Sequence, residues 1–344
     1  MTPTDRPPHR RPIAATLLAR AADAQLGGDL DEASEAAGRA LEEAVAAGDA
    51  RAAADACRRL AVIHHLQGRA ADARIHAVRS RDIARALPDR GPSAEALNVL
   101  AGLEMEAGAV PAARALYGEA LELGHRDPAL LARIEQNLGI LAAIEGDGDG
   151  ATTHYLRALR GFEALRDERG CGMVYYNLGM LAADRCQWAE AYRYYGRCLH
   201  LARSSGDLHL QGLAHLNQSE VHQALDRIDD ARANADSALA IFERLGSAAD
   251  AADAFRVLGV IFRETGRMAL AEARLRAAVD GAAEVGAVLT EGESALELAR
   301  LYDMMNRRAE AIRFAARARR LFQQVGARGD LAAARALQDS LEAA

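Results

Sequence analysis

The sequence predicts an all-α protein of eight antiparallel helix pairs, followed by one C-terminal helix. Half of the 344 residues are hydrophobic but only 4% are aromatic, so Ala and Leu, which favour helices, supply most of the apolar mass. A turn signal recurs about every forty residues, and helix-stopping residues lie about twenty residues after each signal. Between them, small and apolar residues such as Leu138, Gly139 and Ala142 recur with helical spacing.

The first set of turn signals is a small residue with alanine five positions later. Its members, which we call the first turn ladder, are Gly28, Gly68, Gly108, Gly146, Cys186, Asp226, Gly266 and Asn306. The second turn ladder is Gly48, Pro88, Pro128, Arg166, Gly206, Gly246, Gly286 and Gly326. Seven of these eight are Gly or Pro, the residues that end helices. All steps of the first ladder are 40 residues except one of 38, where Asp127 and Pro128 predict a tight helix start.

The ladders divide the chain into a tail, a repeat region and a cap. Residues 1–12, MTPTDRPPHRRP, lack the apolar core of a signal peptide, and we expect a disordered basic tail there. Residues 13–326 hold the eight repeats. In 327–344, Asp330 can begin a last helix that covers the apolar face of the final repeat.

The stretch YYNLGMLAADRCQWAEAYRYYGRCLHL resembles the tetratricopeptide repeat. The matching residues are Tyr175, Asn177, Leu178, Gly179, Trp188, Ala191, Tyr195, Cys198 and Leu199. The positions of Gly179 and Cys198 are occupied by small residues in all eight repeats, which lets neighbouring helices approach closely. The period exceeds the family's usual length of roughly 34 residues. It is similar to the forty-residue subclass of kinesin light chains and bacterial peptide-sensing regulators. The resemblance implies a right-handed α-solenoid, a superhelix with a concave groove.

Composition excludes several function classes. The net charge of −7 argues against a general nucleic-acid-binding protein. The chain has no lysine, which excludes P-loop and Schiff-base chemistry, and it has no Cys-x-x-Cys pair. No apolar run reaches the roughly 20 residues that a bilayer span needs. We therefore expect a cytoplasmic protein that is not an enzyme, binds no cofactor, metal or nucleic acid, and does not enter a membrane.

The aromatic and cysteine-bearing stretch is interpreted as packing. Trp188, Tyr175 and Tyr195 occupy aromatic consensus positions, which repeat cores bury. Cys186 and Cys198 stand where other repeats carry Gly and Ala, so we interpret both as small residues that replace small residues.

Asn137, Asn177 and Asn217, which we call the Asn ladder, share one position in repeats 4, 5 and 6. Two interpretations stand beside each other. In related repeats this position faces the groove, where an amide can grip a peptide backbone as donor and acceptor. Alternatively, Asn is repeat consensus here and bonds across the helix pair.

The spacing i, i+3, i+7, i+11 defines the groove face of the first helix of each repeat. In repeats 4, 5 and 6 it selects Arg133, Gln136, Ile140 and Ile144; Met173, Tyr176, Met180 and Asp184; and Leu213, Leu216, Glu220 and Ala224. Apolar residues with two methionines favour an apolar or amphipathic ligand. The alternative is that the superhelix or a homo-oligomer covers them.

Three other features receive structural interpretations. His215, Gln218 and His222 predict a polar patch in the core, since two histidines seven residues apart lie about 10.5 Å apart along a helix, too far for one metal ion. Glu145–Ala151, EGDGDGA, is a turn rather than a calcium loop, because Leu156 stands where such a loop needs Glu. The arginines of the last repeat, which form either an acidic-partner site or a solvated face, are Arg307, Arg308, Arg313, Arg317, Arg319 and Arg320.

The sequence therefore favours an interaction scaffold or adaptor that binds a peptide or protein segment in its groove. A second hypothesis is a regulator whose superhelix changes shape when a signalling peptide binds, as the resemblance implies. Such regulators carry a separate effector domain, whereas repeats start near residue 13 here, so we rank this hypothesis second. A third is a homo-oligomer built through the terminal repeats.

Overall fold

A computed structural model of the chain describes residues 13–124 and 126–343. Within these residues there are seventeen helices and no strand, which confirms the predicted all-α class of eight helix pairs and a final helix. Their bounds are α1 (Ile13–Leu26), α2 (Leu30–Ala46), α3 (Ala50–Leu66), α4 (Ala70–Arg85), α5 (Gly91–Glu106), α6 (Val110–Leu123), α7 (Pro128–Ile144), α8 (Gly148–Leu165), α9 (Glu168–Asp184), α10 (Trp188–Ser204), α11 (Leu208–Ala224), α12 (Ile228–Leu245), α13 (Ala248–Glu264), α14 (Met268–Glu284), α15 (Val288–Met304), α16 (Arg308–Val325) and α17 (Arg328–Ala343). The tail expected in residues 1–12 lies outside the described residues.

The helices form two compact units, one ending at Arg166 and the other beginning at Asp167. Unit 1 contains α1 to α8 and unit 2 contains α9 to α17. In each unit the first helix of a repeat, its A helix, packs on the second, its B helix. Consecutive A helices also contact each other, and α17 takes the place of a further A helix by packing on α15 and α16. The short loops between the helices make the pairs antiparallel.

The first turn ladder marks left-handed backbone conformations. All eight of its residues have positive φ, from 83° at Gly28 to 55° at Cys186. A Cβ added at Gly28 would meet no atom within 4 Å, so the backbone conformation and not lack of space favours glycine there. The expectation that small size is the common property of this ladder is therefore incomplete. Asp226 and Asn306 adopt the same left-handed conformation, which costs roughly 1–2 kcal/mol at each residue.

Close packing explains the other small positions. A Cβ on Gly179 would lie 2.5 Å from a ring atom of Tyr195, and one on Gly139 would lie 2.5 Å from the ring of Tyr155. At these positions the A helix meets a tyrosine ring of its own B helix, and only glycine leaves room for that ring. This agrees with the expectation from the sequence that small residues permit close helix approach.

Candidate functional site

The positions i, i+3, i+7 and i+11 of the A helices α9, α11, α13 and α15 form a continuous set, which we call the A face of unit 2. Its residues are Met173, Tyr176, Met180 and Asp184; Leu213, Leu216, Glu220 and Ala224; Asp253, Arg256, Val260 and Glu264; and Glu293, Leu296, Arg300 and Met304. In each set of four the last position is exposed, whereas the second position is half-buried or buried. Leu216 is only 4% exposed, whereas Met180 is 43% exposed.

Most apolar residues of this face lie on α9 and α11, and the others are Val260, Leu296 and Met304. Met173 and Tyr176 are half-buried and pack against the core around Cys198, and Leu213 packs against the core that continues into α13. Leu216 belongs to that core, so a ligand would reach little of it, contrary to its selection as a groove residue. The exposed large apolar side chains of this face are Met180, at 43%, and Met304, at 56%.

The predicted residues of repeat 4 lie in unit 1, on α7. Arg133 is exposed, Gln136 and Ile140 are half-buried, and Ile144 is exposed at the end of the helix. These four residues therefore present a mixed surface of their own on unit 1.

The three members of the Asn ladder have different environments. Asn217 is fully engaged: its Nδ2 donates to Tyr176 Oη at 3.1 Å and to Leu213 O at 3.0 Å, and its Oδ1 accepts from Tyr195 Oη at 3.2 Å. Asn217 therefore bonds to the preceding helix pair, α9 and α10, and not across its own pair, α11 and α12, as the second interpretation had it. The hydroxyl of Tyr176 is held in the same network, and burial, opposed by the bond from Asn217, raises the pKa of Tyr176 to about 12.

Asn137 bonds in a similar way, and Asn177 does not. Asn137 Nδ2 donates to Asn98 Oδ1 at 3.1 Å. Asn98 occupies the position in its repeat that Tyr176 occupies in repeat 5, so in both units a ladder Asn reaches one A helix back to the same position. In contrast, Asn177 Nδ2 is buried and finds no hydrogen-bond partner among the described residues. The sequence search missed Asn98 because it lies one residue off the register of the ladder.

The charged part of the A face centres on Arg256. Its Nε lies 2.7 Å from Asp253 Oδ1, and its guanidinium is 3.5 Å from Glu220 Oε1 and 3.5 Å from Glu293 Oε2. One positive charge therefore faces three carboxylates, from α11, α13 and α15. Burial among these helices raises the pKa of Glu220 and of Glu293, although Arg256 opposes the shift in both.

Unit 1 repeats part of this cluster at equivalent positions. Arg58 pairs with Asp55 three residues earlier and with Glu95 at 2.9 Å, one A helix later. These three residues lie at the edge of a cleft of about 790 Å³. The sequence contains the signal, Asp-x-x-Arg followed by Glu about forty residues after the Asp, at both places. The position that corresponds to Glu220 is Ala22 in unit 1, so the two clusters differ by one carboxylate.

Comparison with known proteins establishes the repeat type. A family model described as tetratricopeptide repeat matches residues 210–284, which lie on the two consecutive helix pairs α11 to α14. The chain contains tetratricopeptide repeats. No curated protein sequence matches it.

Several solved structures share this repeat fold. A Rap protein complexed with Competence and Sporulation Factor is 14% identical with a TM-score of 0.65, and the match covers 96% of this chain and 97% of that chain. The apo quorum sensor NprR from B. thuringiensis is 15% identical with a TM-score of 0.66, covering 90% and 87%. BtubC (BKLC) from P. vanneervenii is 23% identical with a TM-score of 0.53, covering 63% and 92%. Identities this low show the fold alone.

The aromatic and cysteine-bearing repeat is a packing element. Tyr195 and Cys198 are fully buried, and Trp188 packs half-buried against the same core. Burial raises the pKa of the Cys198 thiol to about 12, so it is not a thiolate nucleophile at neutral pH. Cys186 does stand at a glycine position of the repeat, but it is exposed at a left-handed turn, so the interpretation of the stretch as packing is wrong for this residue.

The histidine patch of this tetratricopeptide-repeat protein is internal, as expected. Gln218 and His222 are buried, and burial lowers the pKa of His222, which favours its neutral form. His215 Nδ1 lies 2.8 Å from Asn234 Oδ1 on the B helix of the same repeat. Within the described parts of the chain, no group of three or more His, Cys, Asp or Glu side chains is arranged to hold a metal ion.

The remaining sequence features also belong to the repeats. The segment EGDGDGA is the turn into α8, where the Asp147 side chain accepts from Gly150 N at 2.9 Å. In the last repeat, Arg307 pairs with Glu272 at 2.8 Å and Arg317 pairs with Glu291 at 2.7 Å, so internal ion pairs account for part of the arginine cluster. None of the helices from residue 13 to 343 combines the length and the apolar character needed to span a bilayer.

Proposed function

We propose that this tetratricopeptide-repeat protein is an interaction scaffold that binds an extended segment of a partner along the A face of unit 2. The accessible third positions of its four A helices carry this proposal. They run in series as Met180, Glu220, Val260 and Arg300, one from each helix. Such a series alternates apolar and charged side chains, which suits a segment lying across the helices.

Asn177 supplies the polar anchor in this proposal. Its buried Nδ2 lacks a partner, and a peptide carbonyl that accepted from it would restore a bond worth about 1 kcal/mol net. Asn217 has its amide engaged by two tyrosines and a backbone carbonyl, so it contributes by fixing Tyr176 and not by gripping the ligand. Of the three amides that the sequence suggested as a clamp, this proposal keeps only Asn177 as a contact to the ligand.

No catalytic step is assigned to the chain under this proposal. Affinity would come from burial of apolar surface and from a few central contacts, as in other groove-binding modules.

Selection from a random library of twelve-residue peptides tests the proposal that the A face of unit 2 binds a partner segment. Peptides enriched on the wild-type protein are titrated against Met180→Asp and against a matched control, Leu270→Asp on the B helix α14. The two side chains are similarly exposed, at 43% and 47%, but only Met180 lies on the A face. We expect binding to be lost with Met180→Asp and retained with Leu270→Asp. An empty selection, or equal effects of the two substitutions, would contradict the proposal.

A second candidate is a regulator that a short peptide switches. It is favoured by one of the similar structures, the Rap conjugation gene regulator of plasmid pLS20 in complex with the Phr* peptide, which is 17% identical with a TM-score of 0.62 and covers 80% of this chain and 75% of that chain. Small-angle scattering with and without a selected peptide separates the candidates. A radius of gyration that changes on binding supports the switch, and a constant radius supports the passive scaffold.

A further inference from the structure

We infer that the A face of unit 2 selects a segment in which an apolar side chain is followed, about five residues away, by a cationic one. The apolar side chain contacts Met180 and Tyr176, and the cation lies between Glu220 and Glu293. This inference rests on the proposed function and adds the chemistry of the partner to it.

The charge of the face requires a cationic partner. Of its sixteen positions, five carry carboxylates and two carry guanidinium groups. The acidic residues are Asp184, Glu220, Asp253, Glu264 and Glu293, and the basic ones are Arg256 and Arg300. An acidic strip attracts positive segments and repels negative ones, which gives specificity as well as faster association.

The geometry at Arg256 leaves two carboxylates for a ligand. Asp253 holds the guanidinium at 2.7 Å, whereas Glu220 and Glu293 approach it only to 3.5 Å, the outer limit of a hydrogen bond. Each carboxylate can accept about four hydrogen bonds. The Glu220 side chain remains 48% accessible, so a donor from solvent can reach it. A ligand cation would therefore add bonds without displacing the Arg256–Asp253 pair.

The raised pKa values of Glu220 and Glu293 agree with this assignment. The surrounding helices remove part of the water around both carboxylates, Glu220 keeping 48% of its side-chain surface accessible, and one guanidinium does not compensate for that loss. A second cation would stabilise the charged forms of both. The negative charge of Glu220 and Glu293 is therefore only partly compensated by Arg256.

The helix spacing gives the distance between the two ligand side chains. The apolar contacts are on α9 and the Arg256 cluster is on α13, with α11 between them. Neighbouring packed helices lie about 8–10 Å apart, so two steps cover roughly 16–20 Å. An extended segment advances about 3.3 Å per residue, and this distance corresponds to about five or six residues.

Unit 1 provides an internal control. Arg58, Asp55 and Glu95 repeat the roles of Arg256, Asp253 and Glu293, but Ala22 replaces the third acid. The direct contact of Glu95 with Arg58, at 2.9 Å, also leaves less carboxylate capacity than the 3.5 Å contacts in unit 2. Glu95→Gln is therefore the matched control for substitutions on unit 2.

The test repeats the library selection on the wild-type protein, on the double variant Glu220→Gln/Glu293→Gln, and on Glu95→Gln. We expect Arg or Lys to be enriched about five positions from an apolar residue with the wild-type protein and with Glu95→Gln, but not with the double variant. Enriched peptides without a basic preference, or with the same preference on the double variant, overturn the inference and leave the scaffold proposal standing. A selection that enriches nothing on any of the three proteins overturns both.

Titration of one enriched peptide measures how much its positive charge contributes to the affinity. Its Arg is compared with citrulline, which has nearly the same shape but no charge. We expect the citrulline peptide to bind the wild-type protein about tenfold more weakly, and the two peptides to bind the double variant alike. Equal affinities for the wild-type protein would overturn the inference. Circular dichroism melts of the three proteins verify that the substitutions leave the fold intact.

Discussion

The Asn ladder gives the sharpest test of the structure, because the same substitution at one repeat position should destabilise the protein at Asn217 and leave its stability nearly unchanged at Asn177. Asn217→Ala removes hydrogen bonds to Tyr176 and from Tyr195, at 3.1 Å and 3.2 Å. Asn177→Ala removes a buried amide nitrogen that has no partner in the described residues. We expect a marked loss of stability for Asn217→Ala and little or none for Asn177→Ala.

The magnitude follows from the contacts of Asn217. The lost bond to Tyr176 costs about 1 kcal/mol, and leaving the hydroxyl of the fully buried Tyr195 unpaired costs about 1–3 kcal/mol, a range that includes its own lost bond. The bond to Leu213 O contributes little, because that carbonyl keeps its partner within the helix. Alanine restores roughly 0.5 kcal/mol of helix propensity. The net loss is about 2 kcal/mol. For Asn177→Ala the propensity term dominates, and the change stays within about 0.5 kcal/mol of zero.

Amide hydrogen exchange measures the loss of stability in each helix separately. A loss of about 2 kcal/mol corresponds to roughly thirtyfold faster exchange in α11 for Asn217→Ala, whereas α9 in Asn177→Ala should exchange at its wild-type rate. The control is Asn217→Ala combined with Tyr195→Phe, which removes the unpaired hydroxyl and should recover about 1 kcal/mol. Equal effects of the two Asn substitutions, or no recovery with Tyr195→Phe, would refute the assigned roles.

Three further predictions follow from the turns, the packing and the ion pairs. Gly179→Ala places a Cβ 2.5 Å from a tyrosine ring and should lower the free energy of unfolding in urea by about 1–3 kcal/mol. Gly38→Ala, the control, has open space around its Cβ and should raise that free energy by about 0.5–1 kcal/mol. Effects of the same sign would contradict this prediction. Cys186→Gly should raise the free energy of unfolding by roughly 1 kcal/mol, because glycine adopts the left-handed backbone conformation without the steric cost of a Cβ. A destabilised variant would argue against that conformation at residue 186. The hydrogen bond that His209 Nε2 donates to Asp250, at 2.9 Å, raises the pKa of His209. The stability that the wild type holds over Asp250→Asn should therefore be fully present below a pH of about 6.5 and decline as pH rises through the pKa of His209 in the folded protein. Thermal melts at pH 5.5 and 9 would find no such difference if the pair were absent.

The helix pattern could be predicted from the sequence because turn signals repeat with a fixed period. The reason for those signals could only be seen in the backbone. Cys186, Asp226 and Asn306 were grouped with glycine as small residues, but their common property is a positive φ. Gly179 and Cys198, in contrast, are small because a neighbouring side chain or helix occupies the space. Periodicity locates a position without stating which of these two constraints acts there.

The candidate site could be predicted only in part for a similar reason. Helical spacing correctly places Met180 and Glu220 on the accessible side of their helices, but it does not give depth, and Leu216 with the same spacing belongs to the core. The partner of Asn137 is Asn98, which a search at fixed register passes over. The Arg256 cluster joins residues from three helices, and each of them looks like an ordinary solvated charge when its own helix is considered alone.

A repeat gives each position the same neighbours, so a difference in role must come from a substitution next to it. Arg58 and Arg256 share a repeat position and the same two acidic partners, and what separates them is one residue, Ala22 in unit 1 and Glu220 in unit 2. That single carboxylate doubles the excess negative charge of the cluster, from one carboxylate over the guanidinium to two. Recognition in this chain is therefore expected where a repeat departs from its own pattern, and not where it matches the consensus most closely.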